Sequence, residues 1–196
     1  MTMYLWIDLE TTGLNPEYDR IMEVGWFLSE HHEIVTDVQS VLITPDKIAW
    51  ELMQQDLFVQ SMHTENGLLK DMDAFGTIMP EDAEDQILED LDKHQVATPI
   101  LAGSSVHFDR AFIRNWMPRL DRRLSHRHMD TSALKMLFDS NGYQSVGAKQ
   151  RDTVHRALED VQDSYRLYTK YAELLQELGS GLFYQMGLTG TDSLDA

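Results

Sequence analysis

The sequence predicts one α/β domain, and three observations support this fold class. Three short apolar segments rich in Ile, Val, Phe and Trp come first, amphipathic helical segments and one further strand follow, and no repeat or linker divides the 196 residues. This order of elements is typical of a single α/β unit of this length. We therefore predict a domain over residues 1–178 and a C-terminal tail over residues 179–196.

Each predicted strand is short, apolar and bounded by turn residues. The first covers residues 4–9 and ends at a Thr-Thr-Gly turn. The second and third, residues 21–28 and 34–43, are predicted to be antiparallel neighbours, and Pro45 ends the third. Residues 99–102 predict a further short strand that follows a helix.

The predicted helices carry apolar side chains at intervals of three and four residues. Asp130 is placed to cap one of them, because an Asp carboxylate accepts the backbone N–H groups of a first helical turn. The last helix is the longest, and its apolar stripe runs from Leu158 to Leu175. In chain order the predicted helices cover residues 50–58, 63–70, 81–94, 106–117, 131–138 and 157–178.

Composition and charge exclude several classes of protein. The chain contains no cysteine, which excludes disulfides and thiolate metal sites, and no apolar run is long enough to span a bilayer. The N-terminus has no basic region before an apolar stretch, so we expect no secretory signal, no membrane partner and a cytoplasmic location. A formal net charge of −17 disfavours long nucleic acids and favours short substrates bound at metal ions.

Two carboxylates at the end of the first strand indicate a metal site. Asp8 and Glu10 are two residues apart, and side chains alternate along a strand, so both project from the same face. Adjacent anions raise each other's pKa unless a cation offsets them, and Mg²⁺ and Mn²⁺ prefer carboxylate oxygen. The alternative is a strand end with exposed acids before a turn.

Further candidates lie in the second half of the chain. Asp109 falls in the first turns of a predicted helix, where an Asp can also simply complement the helix dipole. His155 and Asp160 are five residues apart, so on one helix they would point about 140° apart. They converge only if His155 lies on the loop before the helix, where an exposed histidine suits a general base. Glu159 competes with Asp160 for the metal, and a surface histidine near a helix start is the alternative for His155.

Together these segments resemble the DEDDh family of exonucleases. Residues 8–14 are similar to its first motif, residues 105–109 to its second and residues 155–160 to its third. Within that family, the third motif and residues 129–135 most resemble the oligoribonucleases. The resemblance implies an RNase H-like mixed sheet flanked by helices, two divalent cations (Mg²⁺ or Mn²⁺) and a homodimer. It also implies hydrolysis of short single-stranded RNA, especially dinucleotides, to 5′-mononucleotides from the 3′ end.

The same resemblance implies a role for each catalytic candidate. Asp8 would bridge both ions, and Glu10 and Asp160 would complete the shell of one of them. Asp109 would contact the other ion mainly through water, and His155 would act as general base on the attacking water. Two alternatives remain open. One is a DEDDh exonuclease acting on single-stranded DNA or longer RNA, and the other, from a different class, is a non-catalytic nucleotide-binding module.

Substrate contacts are also implied by position in the family's motifs. Phe58 stands where the family usually has a Trp that stacks on a base, and His126 stands where it usually has a Tyr. Both differences concern substrate binding and leave the chemistry unchanged. The remaining substrate residues are Leu14, as a wedge between the bases, and His63, Ser105, Arg127 and Ser132, around the 5′-phosphate end.

Overall fold

A mixed six-stranded sheet carries helices on both faces in the computed structural model, which describes residues 2–144 and 155–185. The strands are β1 (Met3–Thr11), β2 (Ile21–Glu30), β3 (Glu33–Ile34), β4 (Gln39–Leu42), β5 (Ile100–Gly103) and β6 (His128–Asp130). The helices are α1 (Lys47–Gln55), α2 (Leu57–Glu65), α3 (Leu68–Phe75), α4 (Pro80–Lys93), α5 (His107–Trp116), α6 (Pro118–Arg123), α7 (Thr131–Ser140) and α8 (Ala157–Gln185). The predicted fold class is confirmed.

β1 lies at the centre of the sheet, whose order is β3-β2-β1-β5-β6, with β4 also paired to β2. A short connection joins β1 to β2, and these two strands are antiparallel. Helices intervene before β5 and β6, and the pairs β1–β5 and β5–β6 are parallel. The sheet is therefore antiparallel on one side of β1 and parallel on the other.

Both faces of β1 and β2 are covered, which explains their near-continuous apolar sequences. On one face, Ile7 and Trp26 belong to the largest apolar cluster, which α4 and α5 complete. On the other face, Trp6 packs in a cluster with Val161 of α8. Because side chains alternate along a strand, Asp8 shares the α8 face with Trp6.

The third predicted strand, residues 34–43, is divided in the structure into β3 and β4. Thr36 explains the break, because its hydroxyl accepts the backbone N–H of Leu28 at 2.9 Å in place of a strand carbonyl. β2 therefore pairs with two short segments instead of one continuous strand.

Three helices, α1 to α3, stand where the sequence predicted two. Asp56 makes the first division, since it ends α1 and its carboxylate accepts the N–H groups of Phe58 and Val59 at the start of α2. Gly67, with a φ of 82°, precedes α3 in the left-handed region that glycine adopts most easily. These helices enclose a second apolar cluster around Met22 of β2.

Other boundaries also differ from the prediction. α6 and β6 were not predicted, and α8 continues to Gln185, past its expected end at residue 178. The N-cap at Asp130 is confirmed, because its carboxylate accepts the N–H of Ser132. The rest of the predicted tail, residues 186–196, lies outside the described residues. None of the helices in the described ranges is long and apolar enough to cross a bilayer.

Candidate active site

Three carboxylates converge where the end of β1 meets the first turn of α8. Oxygen atoms of Asp8, Glu10 and Asp160 all lie within 4.8 Å of one another. Strand alternation brings the first two together, and α8 brings the third because its first turn packs directly on β2. A Cβ at Gly25 would lie only 2.6 Å from the carbonyl carbon of Ala157, so this close approach requires glycine.

Asp109, which is buried, adds a fourth carboxylate from the first turn of α5. Burial raises its pKa to about 8, and hydrogen bonds from the backbone N–H groups of Asp109 and Leu9 only partly offset this effect. Its charge is the largest single charge contribution to the raised pKa of Asp8. The four acids therefore form one electrostatic unit.

Keeping these acids ionised is costly without a cation. Burial, followed by repulsion from Asp109, raises the pKa of Asp8 well above its usual range. Burial, followed by repulsion from Asp160, raises the pKa of Glu10 to about 8. Hard divalent cations bind clustered carboxylate oxygens and remove this repulsion. The donor set is therefore chemically suited to a hard divalent cation.

His155 lies outside α8, two residues before the helix begins at Ala157, as the spacing to Asp160 required. It is exposed and has a φ of 55°. It lines the same cavity of about 660 Å³ as Asp8, Glu10 and Asp160. The carboxylate that joins the cluster is that of Asp160, not that of its neighbour Glu159.

The cavity wall also includes exposed apolar side chains, of which Leu14 and Phe58 are the most exposed. Leu14 is 81% exposed on the loop after β1, and Phe58 is 76% exposed at the start of α2. Asp19 holds the Leu14 loop, because its carboxylate accepts the Thr12 hydroxyl at 3.1 Å and the Asn15 N–H at 2.8 Å. An apolar wedge and an aromatic ring thus border the carboxylates.

Ser105 and Ser132, two of the residues predicted to hold the 5′ end, form a separate group at the start of α7. The hydroxyl oxygens of Ser105 and Ser132 lie 3.2 Å apart, and one carboxylate oxygen of Asp130 accepts both of their backbone N–H groups, at 3.0 and 2.9 Å. Arg127 and His126 are exposed on the segment that leads into β6. Asp130 was predicted only as a helix cap, so its second contact is a finding of the structure.

His63 lies behind Glu10 and is fully buried. Its Nε2–H donates to the carbonyl of Thr11 at 2.9 Å, and its Nδ1 is 3.9 Å from a carboxylate oxygen of Glu10. Burial lowers the pKa of the imidazole. This position supports the end of β1, and the role of His63 in holding substrate stays a prediction.

Stability of the metal-free protein should fall as pH rises. In the folded protein the pKa of Glu10 is about 8, which is above its ordinary value of 4.5. The stability that this group contributes is therefore fully present below its ordinary pKa and is lost as the pH rises through the pKa of the folded state. We expect a lower Tm in EDTA at about pH 8 than at about pH 5, and recovery on adding Mg²⁺ or Mn²⁺.

Two variants, measured in the same thermal scans, test what causes the fall in Tm with rising pH. Glu10→Gln removes the carboxylate and should flatten the fall in Tm, whereas Glu89→Gln, at an exposed position of α4, should not. Equal pH dependence in the wild type and Glu10→Gln would show that Glu10 does not cause the fall in Tm.

Most of the chain is similar in sequence to known exonucleases. The exonuclease family RNase_T matches residues 5–168. The chain is 36% identical over 164 residues to the oligoribonuclease of Coxiella burnetii, covering 82% of this chain and 87% of that protein. It is 37% identical over 170 residues to the oligoribonuclease of Corynebacterium diphtheriae, covering 83% of this chain and 78% of that protein.

Two solved structures with a similar fold are exonuclease I proteins. The one from Methylocaldum szegediense has a TM-score of 0.57 and 18% identity, covering 85% of this chain and 40% of that chain. The E. coli protein in complex with a dT13 oligonucleotide has a TM-score of 0.58 and 15% identity, covering 91% and 43%. This chain spans less than half of their length, and the likeness concerns the fold alone.

The RNase H-like sheet and its carboxylate cluster define the class as an exonuclease, a phosphodiester hydrolase of a family that depends on divalent metal ions. The chain belongs to the oligoribonucleases within the RNase_T exonuclease family. Its activity is that of a 3′→5′ exoribonuclease.

Proposed function

We propose that this chain hydrolyses short single-stranded oligoribonucleotides, with dinucleotides preferred, to 5′-mononucleotides, using two Mg²⁺ or Mn²⁺ ions. The observation that carries the proposal is the meeting of Asp8, Glu10, Asp160 and His155 in one cavity beside Leu14 and Phe58. The net charge of −17 supports short substrates, because a long polyanion would be repelled outside the immediate site.

The chain's own residues hold the metals and move a proton. Asp8, Glu10 and Asp160 would hold one ion, and Asp109 would contribute to holding the second. When bound, the two ions supply charge stabilisation to the phosphate and the leaving 3′ oxygen. His155 takes the proton from the attacking water, which its exposed position beside the acids permits. The protein adds orientation, since all of these groups are held on β1, α5 and the start of α8.

Substrate length is proposed to depend on two regions. Leu14 and Phe58 offer apolar surface for the bases, with Phe58 a smaller platform than the Trp of the resembled motif. The paired hydroxyls of Ser105 and Ser132 receive the 5′-phosphate end, with Arg127 and His126 nearby in sequence. A group that binds the 5′ phosphate favours a substrate only two residues long, because the scissile phosphate must reach the acids at the same time.

The test is a comparison of two substrates by the pure protein. A 5′-labelled diribonucleotide and a labelled seven-residue RNA are incubated with Mn²⁺, Mg²⁺ or EDTA. We expect fast metal-dependent conversion of the dinucleotide and slow attack on the longer RNA. A Ser105→Ala/Ser132→Ala double variant should lose most of this preference, whereas Ser140→Ala at the exposed end of α7 should keep it.

Other outcomes separate the alternatives. Comparable attack on both RNAs would contradict the dinucleotide preference and keep the exonuclease chemistry. Faster attack on a single-stranded DNA would favour the alternative of a DEDDh exonuclease that acts on single-stranded DNA. No turnover with either metal would contradict the enzyme and support a nucleotide-binding module.

We also propose a homodimer and a cytoplasmic location. Four exposed apolar side chains on α7 and α8 support the homodimer, because they offer a surface at which two copies would contact each other. Such side chains on neighbouring helices are often covered in an assembly. They are Met136, Leu137, Leu175 and Leu178.

A further inference from the structure

We propose that Glu23 and Arg156 are positioning residues that hold the backbone of His155 in place for its work as general base. The proposal rests on the proposed function and adds two residues to it. Neither residue is placed in contact with the substrate or the metal ions. Their effect is transmitted through the main chain on the C-terminal side of His155.

His155 needs such support because its own surroundings provide little. Its side chain is exposed, so packing does not fix the imidazole. Its φ of 55° lies in the left-handed region, which a residue other than glycine adopts only at an energetic cost. Such a conformation persists when neighbouring contacts determine the backbone. The contacts of the His155 carbonyl and of the residues that follow it therefore help to decide where the imidazole lies.

The backbone of His155 is held from two directions. The side-chain amide of Asn66, at the end of α2, donates a hydrogen bond to the His155 carbonyl. On the following residue, the guanidinium of Arg156 donates to Glu23 at 3.0 and 3.2 Å and to Asp71 at 2.6 Å. The peptide that leaves His155 is thus anchored to β2 and α3 at once.

Glu23 is the centre of this anchor. It is 1% exposed and pairs in register with Glu10 across β1 and β2, which makes it a further buried carboxylate beside the cluster. Its oxygens accept hydrogen bonds from the Arg156 guanidinium, the Ala157 N–H at 3.1 Å and the Ser40 hydroxyl at 2.8 Å. These donors occupy Glu23 and direct it towards the His155 segment instead of the metal ligands.

Asp160 depends on this anchor only in part, because its N–H donates to the Arg156 carbonyl at 2.9 Å but its remaining support lies elsewhere. It lies within α8, whose first turn is fixed by the fully buried side chains of Ala157 and Val161 and by close contact with Gly25. His155 lies outside the helix and lacks this packing. Loosening Glu23 should therefore displace the general base more than the metal ligand.

The first test is Glu23→Gln, which preserves shape but removes the charge that faces Arg156. We expect kcat on the dinucleotide to fall between about tenfold and about a hundredfold, with KM changed less than about twofold. Glu84→Gln is the matched control. Glu84 is also buried, bonds Arg119 at 2.6 Å and accepts two backbone N–H groups, but it joins α4 to α6 away from the cavity.

A double-mutant cycle then separates positioning from general loss of structure. In a His155→Ala background, Glu23→Gln should lower kcat no further, because the group that it positions has gone. Equal losses from Glu23→Gln in the wild-type and His155→Ala backgrounds would overturn the proposal. So would an equal loss of kcat in Glu84→Gln.

Hydrogen exchange of the metal-free protein gives a readout that does not depend on activity. Glu23→Gln should speed amide exchange over residues 156–160 and leave residues 161–171 unchanged. Unchanged exchange over residues 156–160 would contradict the anchor itself. If the wild type is inactive with both metals but Glu23→Gln still speeds exchange in this segment, the proposed function is overturned, and with it the catalytic purpose of the anchor.

Discussion

Asp8→Asn should lower turnover by at least about three orders of magnitude at saturating Mn²⁺ or Mg²⁺. Asp8 belongs to the group of three carboxylates whose oxygen atoms lie within 4.8 Å of one another. Repulsion from Asp109 also raises the pKa of Asp8. Asn keeps the shape but removes the charge that a cation needs. The measurement is steady-state hydrolysis of a diribonucleotide, with metal binding followed by calorimetry.

The same substitution should not unfold the protein. The buried acid has a raised pKa because its charge is unfavourable in the metal-free fold, so Asn should maintain or raise Tm in EDTA at about pH 8. Asp73→Asn, at an exposed position of α3, is the control and should change neither turnover nor Tm. Retention of more than about a tenth of wild-type turnover by a folded Asp8→Asn protein would rule out the proposed metal site.

His155→Ala should lower kcat between about a hundredfold and about ten-thousandfold, with small changes in KM and metal affinity. The residue is exposed and lines the cavity, so its loss removes a proton acceptor without creating a void in the core. His155→Asn should lower kcat to a similar extent. Because Asn tolerates a positive φ, this loss would come from the missing imidazole and not from strain in the backbone. The readout is kcat and KM on the dinucleotide near neutral pH.

His31 provides a matched control for these variants. It is an exposed histidine with a φ of 53°, located between β2 and β3 and away from the cavity. His31→Asn should leave kcat unchanged. Full turnover of His155→Ala near neutral pH would show that the general base lies elsewhere.

Much of the candidate site could be predicted from short-range rules. The two-residue period of a strand places Asp8 and Glu10 on one face, and the 3.6-residue period of a helix requires His155 to lie outside the helix that holds Asp160. The structure has both arrangements. Asp130 was similarly predictable as a cap, because capping depends on neighbouring residues.

Other features were not predictable because they depend on partners far apart in the chain. Thr36 interrupts a strand by binding Leu28 of its neighbour, and Glu23 bonds Arg156 across 133 positions. Gly25 permits α8 to approach β2, and nothing in the residues around it indicates that contact.

The sequence by itself determined the α/β class, the paired acids, the position of the histidine and the resemblance that indicates an oligoribonuclease. Only the tertiary structure decided which elements meet, that His63 is buried behind Glu10, and how the segment of His155 is held. The reason is that periodicity and capping act over a few residues, whereas packing and buried hydrogen bonds join residues that only the folded chain brings together.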